Sequence, residues 1–471
     1  MGSKEIKRHK LDKIFNPKSV ALIGASRDEK SVGYGILKSL VKGCVFQGDY
    51  CKPFTGKIFP INPNTDEIMG IRCYKSILEI EEDIDLAIIA VPSKIVPQIM
   101  KECAKKKVSG AIIISAGFAE LGEEGKRLQE ETIKIAKASK IPVVGPNCLG
   151  IIRPSINLNS SFAPSMPPPG NVAFVSQSGA IADSVIDWAI EQKYGFSAII
   201  SYGNRADLDV YDFVEWLEKD EETKAIAIYL EGINDGRRFV EVASRVSKKK
   251  PIIALKAGRT EEGTKAISSH TGSLAGSYEI YKAAFKQSGI IVAETIEELF
   301  DLAKALANQP KCRENSIAII TNGGGCGVLC ADYCSSLGIG LAELKKSTIA
   351  KLDKSGQMHP AYSRRNPLDL VGDALPKRYE VAINTLLSEP YISGIIVIQT
   401  LQTMTDPEED AKIIINAHKK HPNKPIICVF MGGYFSRKGV LLLEENGIPN
   451  YNDVSKAAKA MWALIQRGEQ K

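Results

Sequence analysis

The chain reads as three α/β domains: a doubly wound parallel sheet, then two copies of a second α/β unit. Three observations predict this. Short apolar runs alternate with longer helical stretches along most of the sequence, as a parallel sheet covered by helices requires. The early runs end in glycine, serine, asparagine or proline, and in such sheets ligands gather at the carboxyl ends of the strands. Beyond Pro169 the chain repeats itself. At about 150 residues per domain, 471 residues also suit three domains.

Ser19 to Ala25 (SVALIGA) is a strand that enters the turn Gly24, Ala25, Ser26. Gly33 and Gly35 precede a helix over Ile36–Lys42. Further strands are predicted at Lys57–Ile61, Leu86–Val91, Ala111–Ser115 and Pro142–Val144, with helices at Ile95–Lys106 and Glu124–Ala138. The strand ends read Asn62, Pro63 and Asn64; Val91, Pro92 and Ser93; Ser115, Ala116 and Gly117; Gly145, Pro146 and Asn147. Small residues there allow the close backbone approach that a nucleotide-type ligand needs, although tight turns alone would select them too. An NAD site wants an acidic residue closing the second strand to hold the ribose diol. Asn62 and Pro63 stand there instead, which argues for a nucleotide ligand other than NAD.

Pro164 to Gly170 (PSMPPPG), with four prolines, reads as a linker. After it, NVAFVSQSGA at Asn171–Ala180 matches SIAIITNGGG at Ser316–Gly325, and KPIIAL at Lys250–Leu255 matches KPIICV at Lys424–Val429. The stretch Ser288–Ala303 likewise resembles Asn446–Met461. The domains are expected at 1–150, 151–308 and 309–471. In each copy a strand runs into a small-residue turn that opens a helix: Gln177, Ser178, Gly179 and Ala180 in the first, Gly323, Gly324 and Gly325 in the second. Free amides and the helix dipole make such turns phosphate sites, and in a pseudo-symmetric pair both could address one phosphate. Structural glycines would look the same.

The copies differ in one place. From Pro251 to Gly289 is 38 positions and from Pro425 to Gly447 is 22, so the first copy carries 16 more. The excess falls in Ala257–Ser277 (AGRTEEGTKAISSHTGSLAGS), predicted to be a glycine-rich mobile loop with His270 near its tip. An insertion in one copy only is more easily explained by function than by folding: His270 is a candidate for an imidazole that moves while carrying a group, although a surface histidine in a flexible loop fits the local composition equally well. Glu231 ends the strand Ala225–Leu230. A carboxylate there can accept an imidazole N–H and fix its tautomer, leaving the other nitrogen as nucleophile. A solvated loop glutamate fits Glu231 equally well on this feature alone.

Composition narrows the classes. Lys+Arg 61 against Asp+Glu 55 gives +6, spread along the chain without a basic, aromatic-laced stripe, so nucleic acid is not expected. Ten cysteines show no C-x2-C zinc spacing, and no metal site is expected. Cys326, Cys330 and Cys334 recur every four residues along one helix face, as core thiols do. The absence of a signal core or an apolar run of about 18 residues predicts a cytoplasmic protein without a membrane span. Gly258–Lys265 has Thr before Lys, the wrong order for a P-loop, and Ser176-x-Ser178-x-Ala180 lacks the glycines of a hydrolase elbow.

The motifs GAS, PINPN, AVPS, SAGFAELGEEG, GPNCLG, VSQSGA, SYGNRADLD, YLEG, SSHTGS and ITNGGG occur in this order from about Phe15 onward. In this the chain resembles the alpha subunits of ADP-forming acyl-CoA synthetases (acetate–CoA ligase, ADP-forming), of the succinyl-CoA synthetase superfamily. The resemblance implies a Rossmann-like CoA-binding domain followed by two flavodoxin-like, succinyl-CoA synthetase-like domains. It implies CoA near Gly24, Ala25, Ser26, Gly33, Asn62, Pro63, Val91, Pro92, Ser93, Ser115, Ala116, Gly117 and Asn147. It implies phosphorylation of His270, oriented by Glu231, with phosphate cradled at Gln177–Ala180 and Gly323–Gly325. ADP or ATP, with Mg, would sit on a separate ATP-grasp beta subunit in an α2β2 assembly. The other reading is a non-catalytic CoA- or acyl-CoA-binding regulatory protein of the same architecture.

Overall fold

A computed structural model of the protein describes residues 10–271 and 277–469, the side chains of 268–271 excepted. The chain divides into two compact units between Glu294 and Thr295.

Besides a short two-stranded sheet, Glu67–Ile68 against Ile71–Arg72, the first unit holds two large sheets. In one, β1 (Ser19–Ile23), β2 (Lys57–Ile61), β3 (Leu86–Ile89), β4 (Gly110–Ile113) and β5 (Val143–Val144) pair in parallel in the order β2-β1-β3-β4-β5. Helices α1 (Val32–Lys42), α2 (Val96–Lys106) and α3 (Glu123–Ala138) cross between them. Val20 and Leu22 of β1 enter one core cluster, Ala21 and Ile23 another. Both faces are covered, so the strands are apolar throughout instead of alternating. Helix α1 begins four residues before the predicted Ile36 because the Ser31 side chain accepts the Tyr34 N–H, a cap that satisfies one orphan donor. From β1 the chain goes to β2 on one side and β3 on the other, which opens a crevice at their carboxyl ends.

The other sheet contains β6 (Gly150–Arg153), β7 (Leu158–Asn159), β8 (Pro169–Ser176), β9 (Phe196–Ser201), β10 (Ala225–Leu230), β11 (Ile252–Lys256) and β12 (Ile291–Val292). Their order is β12-β11-β10-β8-β9-β6-β7, so β8 is this sheet's switch point. Strands β8 to β12 pair in parallel, whereas β6 runs antiparallel to β9. Helices α4 (Gly179–Gln192), α5 (Val210–Leu217), α6 (Gly236–Val246), α7 (Glu261–Thr271) and α8 (Tyr278–Gln287) connect the strands. One core cluster runs from Val20 and Leu22 to Ala173, Val175 and Ile200. The two sheets therefore share their apolar interior. Trp216 of α5 stacks on Phe15 with ring centroids 4.1 Å apart and donates to Asp12 at 2.8 Å.

The second unit begins with α9 (Ile296–Asn308) and contains β13 (Ile317–Thr321), α10 (Gly324–Ser336), α11 (Lys346–Lys354), β14 (Leu368–Asp369), α12 (Pro376–Ser388), β15 (Gly394–Thr400), α13 (Pro407–Lys420), β16 (Ile426–Met431), α14 (Arg437–Glu445) and α15 (Val454–Glu469). The strands pair in parallel in the order β14-β13-β15-β16. Helix α9, which the repeat places in the first copy, groups with this unit, where Lys304 pairs with Glu444 at 2.7 Å and Glu298 with Lys459 at 3.0 Å. Cys330 and Cys334 are buried along α10. Cys44 and Cys51 form a disulfide after α1; nothing in the spacing singles out that pair. No helix among the described residues is long and apolar enough to cross a membrane.

Two segments differ from expectation. Pro164–Gly170 is no free linker: Ser165 and Met166 are buried, and the carbonyls of Pro164 and Pro168 accept the N–H groups of Phe46 and Phe196, each at 2.8 Å. Proline brings no N–H that needs an acceptor, so a proline run can be buried without orphaned donors. Ala257–Ser277, predicted to be a loop, is helical over Glu261–Thr271. Glu261 and Glu262 lie in the first turn, where the helix dipole favours them. The Thr260 hydroxyl accepts the Gly263 N–H at 3.1 Å, and Glu261 pairs with Lys265 at 2.7 Å. Counting glycines overlooked this start signal. The first copy thus has two helices, α7 and α8, where the second has α14 alone. Gly272, Ser273 and Gly276 lie outside the described residues.

Candidate active site

At the crevice of the first sheet, Gly24 has φ 97°, and a Cβ there would lie 2.2 Å from the Ala90 carbonyl oxygen. A Cβ on Gly33 would lie 1.9 Å from the Gly24 oxygen, so these two glycines let α1 start against the β1 turn. Asn62 donates to the Ala25 carbonyl at 2.8 Å, which ties the ends of β1 and β2. The Ser115 hydroxyl donates to the Val91 carbonyl at 2.6 Å and ties the ends of β3 and β4. Glu120 then accepts the Gly117 N–H and an Asn204 amide proton, both at 2.6 Å. Burial alone would push the Glu120 carboxyl up; these donors outweigh it and hold the group below its usual range. Asn204 follows β9, so the strand ends of both sheets meet at Glu120.

At the second sheet's switch point, Ser178 caps α4, its hydroxyl accepting the Ile181 N–H at 3.3 Å. Gly179 and Ala180, the first residues of that helix, have N–H groups without intrahelical acceptors. The Gln177 side chain accepts the N–H groups of Glu231 and Gly232 at 2.7 and 3.0 Å. That clamp fixes the Glu231 turn beside the α4 turn. Glu231 is buried. Near it, burial lowers the Lys256 ammonium to about 8, against the opposing pull of the Glu231 carboxylate and with a further push from Arg205.

One cavity of about 640 Å³ joins these parts, a size typical of small-molecule sites. It is lined by Val32, Val91, Pro92, Ser115, Ala116 and Asn147 from the first sheet's side. Gln177, Ser178, Gly179, Ala180 and Asp183 face it from the second. Burial raises the Asp183 carboxyl to about 6. Backbone amides at a helix start, opposite glycine-lined strand ends, can receive a phosphate beside a nucleotide-type ligand.

Three family descriptions cover most of the chain: "CoA binding domain" over 18–154, "Succinyl-CoA ligase like flavodoxin domain" over 169–306 and "Ligase-CoA domain" over 317–465. The "Acetate--CoA ligase [ADP-forming] II subunit alpha" of Pyrococcus furiosus is 46% identical over 463 residues, 98% of each chain. The chain belongs to the ADP-forming acetate–CoA ligase alpha subunits. The single-chain "Acetate--CoA ligase [ADP-forming]" of Methanocaldococcus jannaschii is 48% identical over 97% of this chain, which spans 63% of that protein. The solved acetyl-coenzyme A synthetase 1 of Ca. Korarchaeum cryptofilum, in complex with phosphate and ADP, has a TM-score of 0.91 at 39% identity, covering 98% of this chain and 97% of that one.

In this alpha subunit the sequence-selected residues fall into four groups. Val91, Pro92, Ser115, Ala116, Asn147 and Gln177 to Ala180 line the one cavity. Gly24, Ala25, Ser26, Gly33, Asn62, Ser93 and Gly117 shape the turns around it, and Pro63 is exposed. His270 lies on α7 by its backbone, and its side chain is outside the described residues. Gly323, Gly324 and Gly325 belong to the second unit, where they start α10 as Ser178 to Ala180 start α4. The likeness extends to hydrogen bonds. The Ser176 hydroxyl accepts the Ser178 N–H (3.2 Å) and donates to its carbonyl (2.7 Å); the Thr321 hydroxyl does both to Gly323 (2.9 and 3.1 Å). Asn322 accepts the Thr400 N–H at 2.7 Å as Gln177 accepts that of Glu231. The second copy thus has a threonine where the first has its glutamate.

Sequence reasoning missed Glu120, Asp183, Arg205 and Lys256. Arg205 stands at a strand end within SYGNRADLD, and the rule that found Gly24 and Ser115 reaches it. Lys256 ends β11 by the same rule. Asp183 sits on the second turn of α4, and only the fold turns it toward the cavity.

Proposed function

We propose that this chain is the CoA- and phosphate-handling subunit of an enzyme that reversibly converts acyl-CoA, phosphate and ADP to a carboxylic acid, ATP and CoA. The observation that carries the reading is the cavity in which the first sheet's strand ends face the Gly179 and Ala180 amides. CoA lies along Gly24 to Ser26, Val91 to Ser93 and Ser115 to Gly117 in this reading, with its thioester toward α4. A phosphate oxygen attacks the thioester carbonyl carbon; the carbon–sulfur bond breaks and the thiolate leaves with its electron pair and takes a proton, giving CoA and acyl phosphate. An imidazole nitrogen of His270 then attacks phosphorus. The phosphorus–acyl oxygen bond breaks and the acid leaves as carboxylate. Glu231 holds the other imidazole N–H and balances the positive ring. Transfers of this kind depend on positioning and charge stabilisation more than on covalent help from the protein.

The phosphoryl group then passes to ADP, which this reading puts, with Mg, on an ATP-grasp beta subunit in an α2β2 assembly in the cytoplasm. Gly323–Gly325 serves as a second phosphate-binding turn. Domain borders near 150 and 308 belong to the same reading. Acetate, named in the Pyrococcus furiosus relative, is the acyl group to test first. The full chain is incubated with acetyl-CoA and labelled phosphate, and acid-labile label is measured on wild type and on His270→Ala. Label on the wild type alone is expected. Absence of label with acetyl-CoA and bulkier acyl-CoAs, even with a beta subunit added, would leave only a CoA-binding role.

A further inference from the structure

Beside the Glu231–Gly232 turn lies a guanidinium that the scheme above leaves unused. Arg205 is 8% exposed, and its main chain has φ 49°, the left-handed region that non-glycine residues rarely occupy. The conformation is held by its own N–H, which donates to the Tyr202 carbonyl at 3.2 Å, and by its carbonyl, which accepts from the Asn234 amide at 3.1 Å. Its Nη1 is buried and has no hydrogen-bond partner. A Cβ on Gly232 would lie 2.7 Å from Nη1 and 3.1 Å from Nη2, so glycine is what lets the guanidinium rest there.

A buried charged donor left open is costly, and strained backbone persists only where the surroundings impose it. The nearby Asp209 carboxylate is engaged elsewhere. Asp209 accepts N–H groups of Val210 and Asn234 at 2.7 and 2.9 Å. Glu231 is a further buried acid of this cluster. The open Nη1 thus suits an acceptor that visits. The α4 turn is adjacent by construction, because Gln177 bonds the same Gly232 N–H and the residues before Arg205, Gly203 and Asn204, line the cavity. A guanidinium fork matches phosphoryl oxygens in geometry as well as charge.

We propose that Arg205 binds the phosphoryl group while it passes from acyl phosphate to His270. The proposal rests on the phosphohistidine reading above. No bond to Arg205 forms or breaks; its Nη1–H meets an equatorial oxygen while the phosphorus–acyl oxygen bond opens and the imidazole–phosphorus bond closes. The test uses the full chain and labelled acetyl phosphate, with Arg205→Met, Arg205→Lys and His270→Ala beside wild type. Calorimetric CoA titration reports whether each variant keeps its fold. Arg205→Met and Arg205→Lys should both slow labelling by about 100-fold or more, the usual loss on removing one such donor, with CoA affinity within about twofold of wild type. Labelling of either variant at the wild-type rate would overturn the proposal. So would a parallel fall of CoA affinity and labelling, which would mark Arg205 as structural. A wild type that takes no label would sink the phosphohistidine reading itself, whatever the variants do.

Discussion

Gln177 offers a sharp test of how the α4 turn and the Glu231 turn are held together. Its Oε1 takes two backbone N–H groups, those of Glu231 and Gly232, at 2.7 and 3.0 Å. Gln177 and Glu231 are buried, which limits the water that can replace a lost acceptor. Gln177→Met keeps the length of the side chain and removes the acceptor. Each orphaned donor costs about 1–3 kcal/mol, so the pair is expected to cost about 2–6 kcal/mol. For the cooperative unit Met1–Glu294, an unfolding entropy of about 2.1 cal/mol/K per residue moves the midpoint by about 1.6 °C per kcal/mol; a fall of at least about 3 °C is therefore expected. Because Glu231 loses its anchor, His270 labelling from acetyl-CoA and phosphate should drop further than CoA binding does. Differential scanning calorimetry and the labelling assay check both parts. A midpoint within about 1 °C of wild type, with labelling intact, would refute the clamp.

Two further outcomes follow from the same geometry. Burial sets the folded Lys256 ammonium at about 8, below its ordinary 10.5. Between those values the unfolded chain binds more protons than the folded one, so this group's contribution to stability rises with pH across that window. The stability difference between wild type and Lys256→Met should therefore grow in favour of wild type from pH 8 to 10, and denaturant titrations that show a flat difference would contradict it. Gly33→Ala would put a Cβ 1.9 Å from the Gly24 carbonyl oxygen, backbone that cannot swing aside. Overpacking of this kind costs about 1–3 kcal/mol, and CoA affinity should fall at least about tenfold by calorimetry; unchanged affinity would remove the Gly24 turn from the CoA site.

The sheets were legible because a parallel strand covered on both faces is a bare apolar run, and such runs are hard to mistake. The strand-end turns were legible for a related reason: close backbone approach permits only small residues there. What escaped depended on contacts across the fold. Nothing local marks Pro164–Gly170 as buried, since its partners, Phe46 and Phe196, are far off in sequence or in another strand. The α7 helix was missed because Gly263 and the following serines dominate the composition, although Thr260 and two glutamates announce a helix start. Arg205 and Lys256 were invisible as a pair because two different strands, β9 and β11, deliver them. Glu231 was found from its strand end, while the Gln177 clamp that positions it was not.

Strand β6 marks the point at which a cut between the two sheets would fall. It leaves the last turn of the first sheet and lies antiparallel on β9, with Ile151 opposite Ile200. Asp207 meanwhile accepts the Val143 N–H at 2.9 Å and the Leu208 N–H donates back to the Val143 carbonyl at 3.3 Å. A fragment ending at Gly150 would break those hydrogen bonds and divide the apolar cluster that the two sheets share, leaving each part with core side chains in water. The seam that spares the core clusters lies at Glu294. The strand ends assigned to CoA and the turn assigned to phosphate are therefore one inheritable piece: a gene rearranged or split near residue 150 would lose both together, whereas one divided near 294 would keep them.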